Sequence, residues 1–326
     1  MDSDGSNVSP KVNGMSYCQF YMRKVLQLLL LSFPNFAQQE SLRMVYPFMP
    51  LAINPAIAGA KGVGSLTGIY RKKPLFQGGI TNTASSQQYF SFDMPIAQEK
   101  GGIGFLAYNT DQSYALASGG IAANLGLAAV AAKNFVWGRG NHFRVGLQVG
   151  INQYPIIGKS GTSVLGGHYG WGVAYEKGDL HVGLSSPANS FESSYGSLSK
   201  PLYLSGQYTL RLNQHALKVG AILRNQQESM KSDYYAVFWM KEKVGAGIWY
   251  QGTGSELGSK ALLGSLEVAL GKNFRVGYAY DFLGESTAYY PAGFGSTVST
   301  ERAGFHQLSI RYEVDLGNGK IAEFRP

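Results

Sequence analysis

The segment Phe143–Asn152, FRVGLQVGIN, is apolar at every odd position and polar or small at every even one. Phe143, Val145, Leu147, Val149 and Ile151 alternate with Arg144, Gly146, Gln148, Gly150 and Asn152. Successive side chains of a strand point to opposite faces, so this segment has one apolar and one polar face. It is about ten residues long, the length a tilted strand needs to cross a bilayer. Soluble strands average roughly five or six.

The pattern returns along the chain. In 273–282, Phe274, Val276, Tyr278, Tyr280 and Phe282 alternate with Asn273, Arg275, Gly277, Ala279 and Asp281. In 307–316, Leu308, Ile310, Tyr312, Val314 and Leu316 alternate with Gln307, Ser309, Arg311, Glu313 and Asp315. Weaker versions cover 201–210 and 261–270. The expected strands are 62–70, 85–94, 101–109, 113–122, 143–152, 167–176, 179–185, 201–210, 214–223, 233–240, 243–250, 261–270, 273–282 and 304–315. That even set suits a single-chain transmembrane barrel.

The connections fall into two kinds. Gln98–Gly101, Lys177–Asp179, Leu212–Gln214, Lys241–Lys243 and Gly271–Lys272 are short and rich in Gly, Asn and charge. Residues 123–142, 186–200, 251–260 and 283–303 are expected to be long loops, although the Ala-rich stretch Ile121–Ala132 fits either an extension of a strand or a short helix within the loop. Short turns on one rim and long loops on the other are the outer-membrane arrangement, with the turns in the periplasm. Aromatic girdles are expected at the interfaces, with Trp249, Tyr250, Tyr280, Phe282 and Tyr312 as candidates.

Composition excludes the main competitors. Charged residues are 15% of the 326 and aromatics 13%, which argues against disorder. The 43 glycines argue against a helical bundle. Mean hydropathy is −0.10 and no apolar run of about 20 residues occurs, against membrane helices. A soluble sandwich would alternate too, but with a charged outer face; here the charges share a face with Gly, Ser and Gln. The net charge of +8 is scattered, so nucleic-acid binding gains no support. The expected fold is an all-β, antiparallel transmembrane barrel of about 14 strands in the outer membrane, in contact with its lipids.

Residues 1–37 read as a signal peptide with an N-terminal extension. Met22-Arg23-Lys24 is a positive region, Val25–Phe33 an apolar core, and Asn35-Phe36-Ala37 a cleavage site. A short buried helix is the competing reading. The single cysteine, Cys18, lies in this segment, so no mature disulfide framework or cysteine metal site is expected. Residues 38–61 are expected to form a plug or cap, 62–316 the barrel and 317–326 a short tail.

No catalytic, cofactor-binding or metal-binding set emerges, and the chain is not expected to be an enzyme or to need a cofactor. His142, His168, His181, His215 and His306 show no metal-ligand spacing. Gly158-Lys159-Ser160 lacks the first glycine of a phosphate loop, Gln153 standing in its place. His306 and Ser309 lie three apart on a strand and so face opposite ways.

One segment is more specific. Tyr46–Gly59, YPFMPLAINPAIAG, resembles the opening motif of the PorP/SprF family, in which N-P-A-x-A-G follows the signal peptide. The matching residues are Asn54, Pro55, Ala56, Ala58 and Gly59; Pro50 stands where the family often has Asn. Tyr280-Asp281-Phe282, the segment around His306, where Gln307 departs from the family's usual Glu, and Ser186–Phe191 are also similar. The resemblance spans roughly 40–315. It implies an accessory outer-membrane protein of the type IX secretion system of Bacteroidota, linked to gliding motility, whose partners are the secretion machinery and a cognate secreted adhesin. It implies no catalytic residue. A general porin or hydrophobic-solute channel is the alternative.

From the residues themselves, Asn54-Pro55 initiates a turn, and Pro47, Pro50 and Pro55 preclude regular structure. Ala56, Ala58 and Gly59 are small enough for close backbone packing. An unstructured linker is the competing reading, but it would not need Tyr46, Phe48, Leu51 and Ile53.

Overall fold

The computed structural model describes residues 48–72, 86–96, 100–112, 122–138, 140–155, 163–187, 201–226, 229–252, 261–282, 285–289 and 299–315. The expected signal segment 1–37, residues 38–47 of the expected plug, the tail 317–326 and most of the expected long loops lie outside them.

Alternation becomes strand throughout. The first seven are β1 (Gly64–Lys72), β2 (Ser86–Ile96), β3 (Gly101–Gln112), β4 (Ala122–Trp137), β5 (Asn141–Pro155), β6 (Ser163–Lys177) and β7 (Leu180–Ser186). Then follow β8 (Leu202–Leu212), β9 (His215–Gln226), β10 (Ser229–Met240), β11 (Val244–Gln251), β12 (Ala261–Leu270) and β13 (Phe274–Asp281). A separate hairpin, β14 (Glu285–Tyr289) with β15 (Ser299–Ala303), precedes β16 (His306–Val314). Each barrel strand pairs antiparallel with its sequence neighbour, β13 pairs with β16, and β16 closes on β1 in the register Gly64↔Val314 to Lys72↔His306. The closed sheet thus has 14 strands and leaves no edge along its seam.

The faces sort as the alternation requires. In β5, Leu147 and Val149 are 63% and 61% exposed, whereas Gln148 and Asn152 are 1% and 0%. An exposed apolar face that continues through Leu66, Phe90, Leu127, Ile248 and Leu308 is unsuited to water and suited to lipid. Polar side chains turn inward, with Ser65, Thr67, Arg144 and Gln307 all buried.

Two expectations are corrected. The strand expected at 113–122 is β4, at Ala122–Trp137; residues 113–121 lie outside the described set. The supposed loop 123–142 is therefore mostly strand, with turn residues at Gly138 and Gly140, whose φ are +61° and +75°. The alternation was hidden because both faces of 128–132 are small: Ala128 and Val130 point in, Ala129 and Ala131 out. Gly126 leaves room on the inner face that the Tyr108 ring fills. Second, Trp249 is no girdle residue. It faces the lumen, 2% exposed, stacked on Tyr235 with ring centroids 4.4 Å apart. Tyr250, Phe282 and Tyr312 do face outward, and Tyr280 packs edge-on against Phe282. An aromatic cluster at the short-turn rim was missed: Trp137 lies 6.2 Å from Phe143 and 6.1 Å from Tyr175. The inner face carries the charges, as their sharing a face with Gly, Ser and Gln in the sequence implied. Arg71, Arg144, Lys218, Arg224, Lys231, Arg275 and Arg311 are all buried there.

With the turn after β4 included, β2–β3, β4–β5, β6–β7, β8–β9, β10–β11 and β12–β13 all connect at one rim through two to four residues. The start of β1 and the end of β16 meet at that same rim.

Candidate functional site

The N-terminal motif forms a plug inside the barrel at the short-turn end. Two 3-10 helical turns, Pro50–Ala52 and Pro55–Ile57, each begin on proline, whose fixed φ suits the first helical position. Asn54 caps the second: its Oδ1 accepts from the Ala56 N–H at 2.9 Å. Gly59 turns the chain out at φ +67°, a conformation a side chain would strain, with the Met94 carbonyl and Gly102 packed against it. Phe48, Met49, Leu51, Ile53, Ala56 and Ala58 are each no more than 5% exposed. Each large apolar side chain among them gains about 1.5–3 kcal/mol on full burial. The prolines lower the entropy lost on ordering the segment.

The plug is also tied by hydrogen bonds to four strands. Arg311 Nη2 of β16 donates to the Phe48 carbonyl (3.1 Å), and Ser185 Oγ of β7 donates to the Ile53 carbonyl (2.7 Å). Asn54 Nδ2 donates to the Val173 carbonyl of β6 (3.0 Å). The Gly59 N–H donates to Asp93 Oδ2 of β2 (2.9 Å). Inner-face glycines give the plug its room. A side chain at Gly146 would run into the backbone of Pro55 and Ala56, and one at Gly172 into the Asn54 amide.

Around the plug the lumen is charged, and the charges gather toward the short turns. Arg144 Nη2 lies 3.7 Å from Glu176 Oε2, and Arg275 Nη1 3.7 Å from Glu267 Oε1. Deeper in, Arg224 Nη2 meets Asp233 Oδ1 at 2.9 Å, both almost fully buried. Lys61, on the segment leading from plug to β1, donates to Ser65 Oγ at 2.7 Å. Burial pulls its ammonium down to about 7; Arg311 adds to that pull, and Asp93 and Glu313 oppose it.

The plug does not fill the lumen. A cavity of about 580 Å³ remains between it and a wall formed mostly by β5–β9, with Thr67, Ser91, Asp93, Tyr235 and Arg311 added from other strands. Pro50, Ile53 and Ile57 line its plug side, Ser205, Gln207 and Thr209 its wall. It reaches Gly140, Gly178 and Asp179 at the short-turn rim and Ile222 and Tyr235 within the barrel.

The sequence-derived site residues separate into two places. Asn54, Pro55, Ala56, Ala58 and Gly59 act together as the plug's anchor. Tyr280, Asp281, Phe282 and His306 lie at the opposite end of β13 and β16. There His306 faces outward and its Nδ1 lies 2.7 Å from the Tyr278 hydroxyl, while Asp281 is fully buried toward the lumen. Sequence reasoning put the charges on the lumen face but did not read their grouping around the plug. Their signal was positional: Asp93, Arg144, Lys218, Glu267, Arg275 and Arg311 are inner-face residues close to the short-turn ends of their strands. Among the described residues no group of three or more His, Cys, Asp or Glu could hold a metal ion.

Several solved proteins are similar to the chain at low identity. Omp33 of Acinetobacter baumannii is 7% identical with a TM-score of 0.46, covering 77% of this chain and 97% of that one. A Pseudomonas aeruginosa FadL homologue is 9% identical with a TM-score of 0.48, covering 80% and 92%. The KdgM porin is 8% identical with a TM-score of 0.36, covering 76% and 98%. Among curated proteins none matches the chain in sequence. The family model for type IX secretion system membrane protein PorP/SprF matches residues 35–312. That match spans the plug and nearly the whole barrel, and the chain belongs to this family of outer-membrane components of the type IX secretion system.

Proposed function

We propose that this protein is a non-enzymatic subunit that assists export of a cognate secreted protein, such as a large adhesin, or holds it at the cell surface, in support of gliding motility in a member of the Bacteroidota. Residues 1–37 direct it to the envelope, and the short-turn rim faces the periplasm. The observation that carries this reading is the plug. A segment containing the motif Asn54–Gly59 is pinned to four strands across the lumen and occupies the periplasmic end of the barrel. Free diffusion needs an open bore, whereas a fixed internal segment provides a constant surface for a partner. The test is a deletion of residues 48–58 in the native host. The expected result is barrel in the outer membrane at wild-type level with loss of the partner from the cell surface. Normal surface display by that strain would refute the reading.

The cavity beside the plug favours one alternative, a channel for small solutes. Planar-bilayer recording separates the two. A steady open conductance of the purified wild-type protein would support the channel, and its absence the secretion role.

A further inference from the structure

The two sides of the 580 Å³ cavity differ in chemistry and in spacing. On β8 the inward side chains Ser205, Gln207, Thr209 and Arg211 follow one another at every second residue, about 6.6 Å apart. They descend from Gln207, whose Oε1 accepts from the Tyr235 hydroxyl at 3.0 Å, to Arg211 at the mouth, where Nε meets Asp179 Oδ1 at 2.9 Å. The facing side is the N-terminal segment, mostly apolar through Pro50, Leu51, Ile53 and Ile57, with Asn54 and Lys61 as its polar members. An extended peptide has the same two-residue period and sends alternate side chains to opposite sides. One laid along β8 would meet polar groups on one side and apolar groups on the other. A fatty acid has no such alternation, and the two-signed polar wall would leave much of its chain against charge.

The charge balance selects the peptide. Lys61, Arg144, Arg211, Lys218 and Arg311 line the cavity, against the carboxylates of Asp93, Glu176 and Asp179. The formal balance is five cations to three carboxylates; the three arginines equal the carboxylates in number, so the surplus lies in Lys218 and in Lys61, whose ammonium burial leaves only partly charged near neutral pH. Within the low-dielectric barrel this surplus favours anionic side chains. The row from Ser205 to Arg211 spans about 20 Å, the reach of about six extended residues.

We propose that the periplasm-facing cavity between the plug and β8 binds an extended peptide segment of about six residues in which aliphatic and acidic side chains alternate. This deepens the secretion reading and rests on it, by naming what the barrel grips on its partner. The assay below contains no secreted partner, so its failure removes this site and leaves the secretion reading to the deletion test.

The experiment uses the full-length protein in lipid nanodiscs and two end-blocked, fluorescein-labelled hexapeptides, one alternating leucine and aspartate, the other leucine and lysine. Fluorescence anisotropy is read against empty nanodiscs. The aspartate peptide is expected to bind at least tenfold more tightly than the lysine peptide. Arg211→Glu, at the exposed mouth, should weaken the aspartate peptide by tenfold or more, and Thr209→Trp, which fills the cavity, should abolish its binding. If Thr209→Trp fails to fold, Arg211→Glu decides alone. Equal binding of the two peptides, no binding of the aspartate peptide, or binding indifferent to Arg211→Glu would overturn the proposal. So would binding of palmitate that displaces the aspartate peptide while that peptide ignores the charge reversal.

Discussion

Replacing Asn54 by alanine should release the plug without opening the barrel. The side chain makes two buried hydrogen bonds: Oδ1 accepts from the Ala56 N–H at 2.9 Å and Nδ2 donates to the Val173 carbonyl at 3.0 Å. Loss of an N-cap costs about 1 kcal/mol. Loss of a net hydrogen bond to the wall costs about 1 kcal/mol more. The sum, about 2 kcal/mol, corresponds to roughly a 25-fold rise in the opened population of the segment, since about 1.4 kcal/mol is tenfold. Hydrogen exchange reads this directly. The N–H groups of Ile53 and Asn54 both donate to the Pro50 carbonyl, at 3.0 and 3.1 Å, and that of Ala58 donates to Pro55 at 3.3 Å. In Asn54→Ala these amides should exchange about 25-fold faster, while those of β12, whose pairing to β11 and β13 does not involve the plug, keep their rates. Plug protection within twofold of wild type would refute the anchoring argument. Equal loss in β12 would show that plug and barrel are one cooperative unit, which also refutes it.

Three further outcomes are expected. Gly146→Val should displace the plug, because the new side chain meets the Pro55–Ala56 backbone, at a cost of about 1–3 kcal/mol to docking; limited proteolysis should then cut near Ala58 while the barrel stays intact. Asp233→Ala should lower barrel stability by about 3–5 kcal/mol, because it strips the carboxylate from buried Arg224, and Arg224→Met with Asp233→Leu should recover most of it; urea unfolding in lipid measures both. Brominated lipid should quench a variant retaining only Trp137, which is 50% exposed on the outer face, and spare variants retaining only Trp239 or Trp249, each 2% exposed in the lumen.

Much of the barrel was legible because its physics is local. A wall between lipid and lumen needs one apolar and one polar face, and Phe143–Asn152 and Gln307–Leu316 display that need residue by residue. Legibility failed where size substituted for polarity. Ala128–Ala132 carries small residues on both faces, so its alternation has no contrast, and the sequence leaves strand and loop helix equally open there. It failed again at Trp249, because rim aromatics and lumen aromatics look alike in sequence. What separates them is register against a partner strand: Trp249 pairs with Tyr235, an inner-face residue whose hydroxyl donates to Gln207. The plug was legible as a segment, through its prolines and buried-type residues, but its docking position was not. That position depends on contacts across more than a hundred residues, such as Asn54 with Val173 and Ile53 with Ser185.

The inner-face glycines carry information that no single strand reveals. Gly146 and Gly172 sit on neighbouring strands, paired directly with each other in the β5–β6 register, and both look toward Asn54–Ala56. In an aqueous lumen such positions could be serine or asparagine, both better strand residues than glycine and soluble there. Two glycines side by side on the inner face therefore mark a line where another backbone must approach. The charges divide on the same line: Arg144 and Glu176 pair beside it, on the two strands that hold the glycines. A wall so shaped is matched to one occupant, and the N-terminal motif, with its small residues at Ala56, Ala58 and Gly59, is the complementary half. Plug and wall are one interface within a single chain, and a change on either side should be rescued only by a change on the other.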